Sequence, residues 1–291
     1  MLDFARWITE RDYRAALMAA GLVLLPLLAP VSCGLLALVA LQRGAGAGLR
    51  AAGMAAALLA VVAWASGTHP AAGVLSAVMI WAPTLAVTRL LVSSGSLSTA
   101  TRSATIAAVV LAGGWSIMAP VEGEPWLTIV SEVVAPLASQ AGGEAPVLAR
   151  QLLELLPGII AASLLTVSLA GLFLAMWLHA GQARSGAFGE AFRSLQLGPV
   201  VGGLGALAIV AALWTDQVTA AAVAFPLGAA LMLQGIAVMH ALVRIKSMHR
   251  GWLFGGWAAL VLLSPWAMMG FAFYGLVDTL MDLRPRAAGK V

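Results

Sequence analysis

The residues of this chain that could do chemistry are few, and they lie inside long apolar segments. Gln234 is surrounded by apolar residues, and its side-chain amide offers two donors and an acceptor. Burying such an amide without hydrogen-bond partners costs roughly 2–7 kcal/mol. Gln234 must therefore bond to a neighbouring helix, a water or a ligand. The sequence leaves a helix–helix hydrogen bond and a ligand contact both open.

Two prolines inside apolar segments offer a second kind of polar site. Pro83 lies beside Trp81 and Thr84, and Pro226 precedes Gln234 on the same segment. A proline inside a helix leaves the carbonyl one turn earlier without its usual N–H partner. Such carbonyls bind cations or solute hydroxyls in the broken helices of transporters; alternatively, the kink only improves packing. The candidate ligand-binding residues are Trp81, Pro83, Thr84, Pro226 and Gln234.

Catalytic and metal-binding sites are not predicted. The chain has four histidines and one cysteine, without the paired spacing that zinc sites use. The aspartates lie near the ends of apolar segments, so they supply no intramembrane carboxylate pair. No Walker lysine motif is present, so an ATP-driven process would need a partner. We expect no enzyme activity, no cofactor and no metal, and an intramembrane enzyme is the third-ranked hypothesis.

The composition defines the fold class. The chain is 62% hydrophobic and 10% charged, whereas soluble domains carry about 25% charged residues, so lipid must be its solvent. A spanning helix needs about 20 mostly apolar residues, and the segments lack the alternation of barrel strands. The sequence predicts an all-α, polytopic transmembrane helix bundle with about eight hydrophobic segments, forming a single integral membrane domain over residues 1–291. The segments lie at about 15–41, 49–66, 71–92, 103–120, 156–178, 199–215, 217–243 and 252–276.

Charges in the loops predict which segment ends share a side. Arginine and lysine in short loops favour the cytoplasm, and alternate loops carry them. These basic loops hold Arg43 and Arg50, Arg89 and Arg102, Arg184 and Arg193, and Arg244, Lys246 and Arg250. The acidic residues 121–155 then form an outer amphipathic segment, either packed on the membrane surface or covering an outward-facing cavity. With the Ala/Arg-rich composition, this pattern predicts a multi-pass protein of a bacterial inner (cytoplasmic) membrane.

The first and last apolar segments conflict with eight simple crossings. If every segment crosses, the basic residues of both chain ends lie on the outer side. The first segment contains Pro26 and Pro30, and the last contains Ser264-Pro265. Because proline kinks or breaks helices, we predict that the first segment is kinked or re-entrant. The last segment is open to the same interpretation.

Amphipathic segments flank the apolar ones. Residues 1–14 can place Phe4, Trp7 and Ile8 on one face, which predicts an interfacial helix. Residues 185–197 repeat this pattern with an apolar stripe of Phe188, Phe192 and Leu195. Residues 277–291 form a C-terminal tail, where Asp278 and Asp282 lie one helical turn apart and Arg284 follows. These three residues are predicted to be structural or to form a docking surface for a partner subunit; one structural option is pairing of the aspartates with arginines of the 244–250 loop.

The C-terminal half resembles a known family. The pair Gln234-Gly235 and the closing pattern of Gly275, Asp278, Asp282 and Arg284 resemble the YybS-like family of bacterial membrane proteins. The resemblance covers about residues 150–280, and the first half agrees by hydropathy alone. It implies an architecture similar to the substrate-binding membrane subunits of energy-coupling-factor vitamin transporters. A small solute would then bind near the outer face, and a partner ATPase would supply energy.

These observations favour membrane-embedded small-solute binding or transport. Its partners would be the lipid bilayer, a small-molecule cargo and the protein subunits of a larger complex. The alternative is a non-transporting scaffold or regulatory subunit, in which the polar groups serve packing alone. A net charge of +4 without a run of basic residues argues against nucleic acid. A polar cavity lined by Gln234, Pro83 and Pro226 would favour transport, and closely packed helices would favour a scaffold.

Overall fold

The computed structural model describes residues 2–118, 124–141, 144–183, 185–215 and 217–289. Over these ranges the chain is almost entirely α-helical and contains no β-strand, which confirms the predicted all-α class. Arg184, parts of the 121–155 segment and the last two residues of the C-terminal tail lie outside the described ranges.

The helices follow one another with short connections. In chain order they are α1 (Leu2–Thr9), α2 (Asp12–Val23), α3 (Ala29–Arg43), α4 (Ala45–Ala65), α5 (Pro70–Ser94), α6 (Leu97–Met118), α7 (Glu124–Ala141), α8 (Ala145–Ala183), α9 (Ala187–Arg193), α10 (Gly198–Trp214), α11 (Val218–Ile245), α12 (Gly251–Leu262), α13 (Trp266–Met281) and α14 (Leu283–Ala287). A short 3-10 helix, Pro26–Leu28, separates α2 from α3.

The predicted apolar segments correspond to helices. Six of them fall largely within α4, α5, α6, α8, α10 and α11, while the first and the last are each divided between two helices. By length and composition, α4, α5, α8 and α11 are able to span a membrane, and α9 with α10 would add a fifth span. The molecule is therefore a polytopic helical membrane protein, with lipid around its apolar helices.

The chain divides into two compact units. Unit 1 comprises Met1–Ala104, Leu164–Gln196 and Ala237–Met248. Unit 2 comprises Thr105–Ser163, Leu197–Ile236 and His249–Val291. The long helices α6, α8 and α11 each contribute residues to both units.

The first apolar segment is a helical hairpin in unit 1, as the prolines predicted. At 1.5 Å per residue, α2 and α3 extend only about 18 and 22 Å, short of the ~30 Å hydrocarbon core. They lie side by side, because the hydroxyl of Ser32 donates to the carbonyl oxygen of Ala19 at 2.8 Å. At the other end of the hairpin, the guanidinium of Arg43 donates to the carbonyl oxygen of Thr9 at 3.1 Å. The chain thus enters and leaves the hairpin at the same end, so the predicted break in the first segment is present, while its re-entry into the membrane stays a prediction.

The last apolar segment is also broken. Helix α12 has 12 residues and α13 has 16, and residues 263–265 separate them. These lengths correspond to about 18 and 24 Å, so neither helix alone is as long as a ~30 Å hydrocarbon core. The kink expected at Ser264-Pro265 is therefore present as a complete interruption of the helix.

The basic loops that unit 1 contains lie at the same end of this unit. Gly44, before α4, and Arg89, near the end of α5, line the same cavity. A short turn then leads from α5 into α6, where the hydroxyl of Ser98 accepts a hydrogen bond from the backbone N–H of Gln196 at 3.0 Å. The N-terminal hairpin, the α5–α6 turn and the segment after α9 are thereby brought to one end. The prediction that the basic loops share one side of the membrane stays a prediction.

Helix α9 carries the predicted apolar stripe. The ring of Phe192 packs against those of Phe173 and Phe188, with centroids 5.4 and 5.8 Å apart, and against that of His240 at 5.6 Å. Leu195 is completely buried. This amphipathic segment therefore fixes the ends of α8 and α11 that belong to unit 1.

The outer segment 121–155 contains α7 and the first turns of α8. Helix α8 continues without interruption from Ala145 to Ala183, through Pro157. The second amphipathic part of this segment is therefore the beginning of a spanning helix rather than a separate element.

Candidate functional site

Gln234 is the centre of a buried polar network in unit 2. Its side chain is completely buried, and its amide nitrogen donates to Asp278 Oδ2 at 2.8 Å and to Thr279 Oγ1 at 3.0 Å. Its amide oxygen accepts from the backbone N–H of Leu197 at 2.9 Å. Both donors and the acceptor are thus engaged, and Gln234 joins the start of α10 and the end of α13 to α11. Of the two roles left open, this geometry is that of a helix–helix hydrogen bond.

The charge of Asp278 is balanced from within the C-terminal tail. Arg284 Nη2 donates to Asp278 Oδ2 at 2.9 Å, and the arginine is only 8% exposed. Asp282, between α13 and α14, adopts a left-handed conformation with φ of 48°, and this turn brings Arg284 back to Asp278. A buried carboxylate needs such a partner, since an unpaired buried charge is strongly destabilising. The arrangement fits the structural alternative for these three residues; a docking role for them stays a prediction.

Close contact between α11 and α13 makes this network possible. A Cβ on Gly235 would overlap the carbonyl oxygen of Phe271, and a Cβ on Gly275 would overlap that of Leu231. Only glycine, which has no side chain, allows the two backbones to approach this closely. The crossing places Gln234 against the last turn of α13.

Pro226 also serves a close helix contact in unit 2. Its missing N–H leaves the carbonyl of Ala222 without the usual helical partner. That carbonyl oxygen lies against Gly158 of α8, where an added Cβ would overlap it. The freed carbonyl faces the backbone of a neighbouring helix, which fits the packing alternative for this proline. A ligand contact at Pro226 stays a prediction.

Trp81 and Thr84 are buried on α5 in unit 1. The indole N–H of Trp81 donates to the hydroxyl of Ser32 at 3.0 Å, and Ser32 itself bonds to Ala19. The hydroxyl of Thr84 bonds back to the carbonyl of Ile80 at 3.5 Å. Ser32 is a buried polar residue of this region that the sequence analysis missed. The available signal was a lone hydroxyl in an apolar segment, two residues after Pro30.

A cavity of about 640 Å³ lies between α3, α4 and α5 in unit 1. Pockets for small molecules typically measure about 300–1,000 Å³. Small residues of α4, among them Ala52, Gly53 and Ala56, leave the space. From α5, residues 78, 81, 82, 85, 89 and 92 line it at the spacing of one helical face. The cavity is thus built from one face of each of two adjacent helices that could span a membrane.

The wall of this cavity is apolar except at three side chains. The N–H of Trp81 is bonded to Ser32, and the hydroxyl of Thr88 donates to the carbonyl of Thr84 at 2.7 Å. Arg89 is exposed, and in the described part of the chain it has neither an acidic partner nor a hydrogen-bond partner. Arg89 is therefore the polar group that this wall can offer to a bound molecule.

The predicted ligand-binding residues are divided between the units. Trp81 lines the cavity of unit 1, whereas Pro83 and Thr84 lie on the same helix outside its lining. Pro226 and Gln234 belong to unit 2. Arg89, used in the sequence analysis only as a loop charge, is the additional candidate. Among the described residues, no group of three or more His, Cys, Asp or Glu side chains is arranged to hold a metal ion.

No family model, no curated protein and no solved structure matches the chain. The resemblance of its C-terminal half to the YybS-like family stays a prediction. The helices themselves define the class, a polytopic membrane protein, and the two sites above carry the functional argument.

Proposed function

We propose that the protein binds a small, mainly apolar molecule in the cavity between α3, α4 and α5, as a solute-binding or transporting membrane protein. The observation that carries the proposal is the cavity itself, about 640 Å³ with an apolar wall and an arginine that has no partner among the described residues. An apolar pocket with a few polar groups is the usual form of a small-molecule site. Of the five ligand-binding residues predicted from the sequence, Trp81 lines this cavity.

The competing proposal, a scaffold or regulatory subunit, draws its support from unit 2. There Gln234 and Arg284 both donate to Asp278, and glycines let the helices touch. Such a network holds helices together. We therefore assign the solute to the cavity of unit 1 and a structural role to the network of unit 2.

The proposal extends to a bacterial inner membrane and to a larger complex. The basic end of unit 1 supports an orientation in which this end faces the cytoplasm. Because the sequence has no Walker lysine motif, transport driven by ATP would require a partner subunit. The resemblance to the YybS-like family supports such a partner subunit.

Filling the cavity tests the proposal. Ala56 lines the cavity, while its neighbour Ala57 is exposed outside it. We would purify the wild type, Ala56→Phe and the matched control Ala57→Phe in a neutral detergent. Native mass spectrometry would then count bound N-phenyl-1-naphthylamine, an uncharged apolar probe. We expect one probe molecule on the wild type and on Ala57→Phe, and none on Ala56→Phe. Equal binding by all three proteins would refute the site and favour the scaffold.

A further inference from the structure

In the part of the chain that the structure describes, Arg89 has no counter-ion, in contrast to three other arginines of unit 1. Arg14, Arg43 and Arg50 are each paired with a carboxylate. Arg89 lines the cavity, is exposed, and makes no ion pair or hydrogen bond within the described ranges. A guanidinium at the edge of an apolar space can receive an anion, because its planar fork matches a carboxylate or a phosphate.

An acidic residue at this end of unit 1, Asp12, is already paired with other arginines. Asp12, with a side chain only 13% exposed, is shared between Arg43 and Arg50, the latter at 2.9 Å. Gly44, which follows Arg43, lines the cavity together with Arg89. One carboxylate therefore serves two arginines here, and this end of unit 1 keeps an excess of positive charge. Such an excess attracts anions.

The rest of the cavity wall is apolar and is complementary to a hydrocarbon chain. The polar atoms of Trp81 and Thr88 are bonded within the protein, so the wall offers their carbon surfaces. Leu49, Val78 and Val92 line the cavity and are 61, 53 and 54% exposed. Exposed apolar residues on membrane helices contact lipid, so an acyl chain can enter sideways from the bilayer. An apolar wall does not distinguish one acyl chain from another. Selectivity between amphiphiles must therefore come from the head group.

We infer that the cavity takes a single-chain amphiphile with a carboxylate head, its chain lying along α4 and α5 and its head held by Arg89. The inference rests on the proposed function, because it names the class of molecule for the same cavity. The carboxylate accepts hydrogen bonds from the Arg89 guanidinium at the basic end, and the chain covers the small residues of α4. Contact with the apolar wall thus supplies the affinity for an amphiphile, and Arg89 supplies the selectivity for its head group.

A matched pair of ligands tests this assignment. Hexadecanoate and hexadecan-1-ol have the same chain length and differ in the charge of the head. Native mass spectrometry in neutral detergent would compare their occupancy on the wild type, Arg89→Gln, Arg89→Lys and Arg11→Gln. Arg11 is an exposed arginine outside the lining of the cavity. We expect a preference for hexadecanoate of about tenfold in the wild type and in Arg11→Gln, since hydrogen bonds to a charged group are the strong ones.

Arg89→Gln should abolish this preference without weakening hexadecan-1-ol, and Arg89→Lys should keep part of it. No preference in the wild type, or a preference that survives Arg89→Gln, would overturn the carboxylate assignment alone, provided that Ala56→Phe still displaces both ligands. If Ala56→Phe displaces neither, the proposed function itself fails. A phosphatidylglycerol that displaces hexadecanoate through Arg89 would overturn the single-chain assignment.

Discussion

Gln234 and Asp278 lie 44 positions apart in the sequence, and they form one buried hydrogen bond of 2.8 Å between α11 and α13. Both side chains are completely buried. The amide also accepts the backbone N–H of Leu197, and the carboxylate also accepts from Arg284. This pair therefore connects the start of α10, the middle of α11 and the C-terminal tail. Its loss affects three elements together.

Replacing Gln234 by leucine should destabilise the protein. The variant leaves the N–H of Leu197 without its acceptor and removes a donor from Asp278, while both groups stay buried. We expect a loss of about 2 kcal/mol in the free energy of unfolding, given the cost of unsatisfied buried groups and the modest worth of hydrogen bonds between membrane helices. Denaturation in mixed detergent micelles measures it.

The matched control is Gln151→Leu, the same substitution at an exposed position of α8. It should change the free energy of unfolding by less than about 0.5 kcal/mol. Equal effects of Gln151→Leu and Gln234→Leu would show that the hydrogen bonds of Gln234 contribute no specific stability.

The glycine crossing of α11 and α13 gives a second prediction. Gly235→Ala and Gly275→Ala each place a methyl group on a carbonyl oxygen of the facing helix, at Phe271 and Leu231. We expect each substitution to cost about 1–3 kcal/mol, because overpacking forces the backbones apart. Thermal unfolding in detergent, followed by circular dichroism, measures the effect.

Two glycines of the same helices serve as controls for the crossing. An added Cβ at Gly228 of α11 or at Gly270 of α13 meets no atom within 4 Å. Alanine at these positions should be neutral or should raise stability by up to about 1 kcal/mol, through its better helix propensity. If all four variants behave alike, helix propensity rather than contact explains the result.

The broken first segment could be predicted because its signals are local. Pro26 and Pro30 lie within the segment, and the basic residues before it would be left on the outer side by a full crossing. The pairing of Gln234 could not be predicted. A buried amide must have a partner, but whether Asp278 reaches it depends on how α11 and α13 cross.

The cavity in unit 1 could not be predicted either, because small residues are ambiguous. At Gly73 of α5 an added Cβ would overlap the carbonyl of Leu59, so a small residue there lets α4 and α5 touch. At Ala52 and Ala56 of α4, small residues instead leave open space. Small residues occur both at the contact near Gly73 and beside the cavity at Ala52 and Ala56. The difference is whether a position lies at the contact between α4 and α5 or beside the cavity, which an Ala-rich sequence does not encode locally.

The hydrogen bonds of Ser32 should hold the N-terminal hairpin against α5. Ser32 donates to Ala19 and accepts from Trp81, so Ser32→Ala leaves the indole N–H buried without a partner. We expect Ser32→Ala to lower the free energy of unfolding by about 1–3 kcal/mol. In a double-mutant cycle with Trp81→Phe, the second substitution should cost less once Ser32 is absent. Strictly additive losses would mean that the two side chains do not interact energetically.

The re-entrant hairpin predicts which side of the membrane each loop occupies. Because α2 and α3 return to the same end, Arg11 and Gly46 should share a side, and Thr68, after the spanning helix α4, should lie on the other. In a Cys33→Ala background, Arg11→Cys and Gly46→Cys should react with a membrane-impermeant maleimide only in inverted vesicles. Thr68→Cys should react in intact cells instead. These three positions are exposed, so access of the reagent is not limited by burial. Labelling of Arg11→Cys from the same side as Thr68→Cys would mean that the first segment crosses the bilayer, and the hairpin would then be wrong.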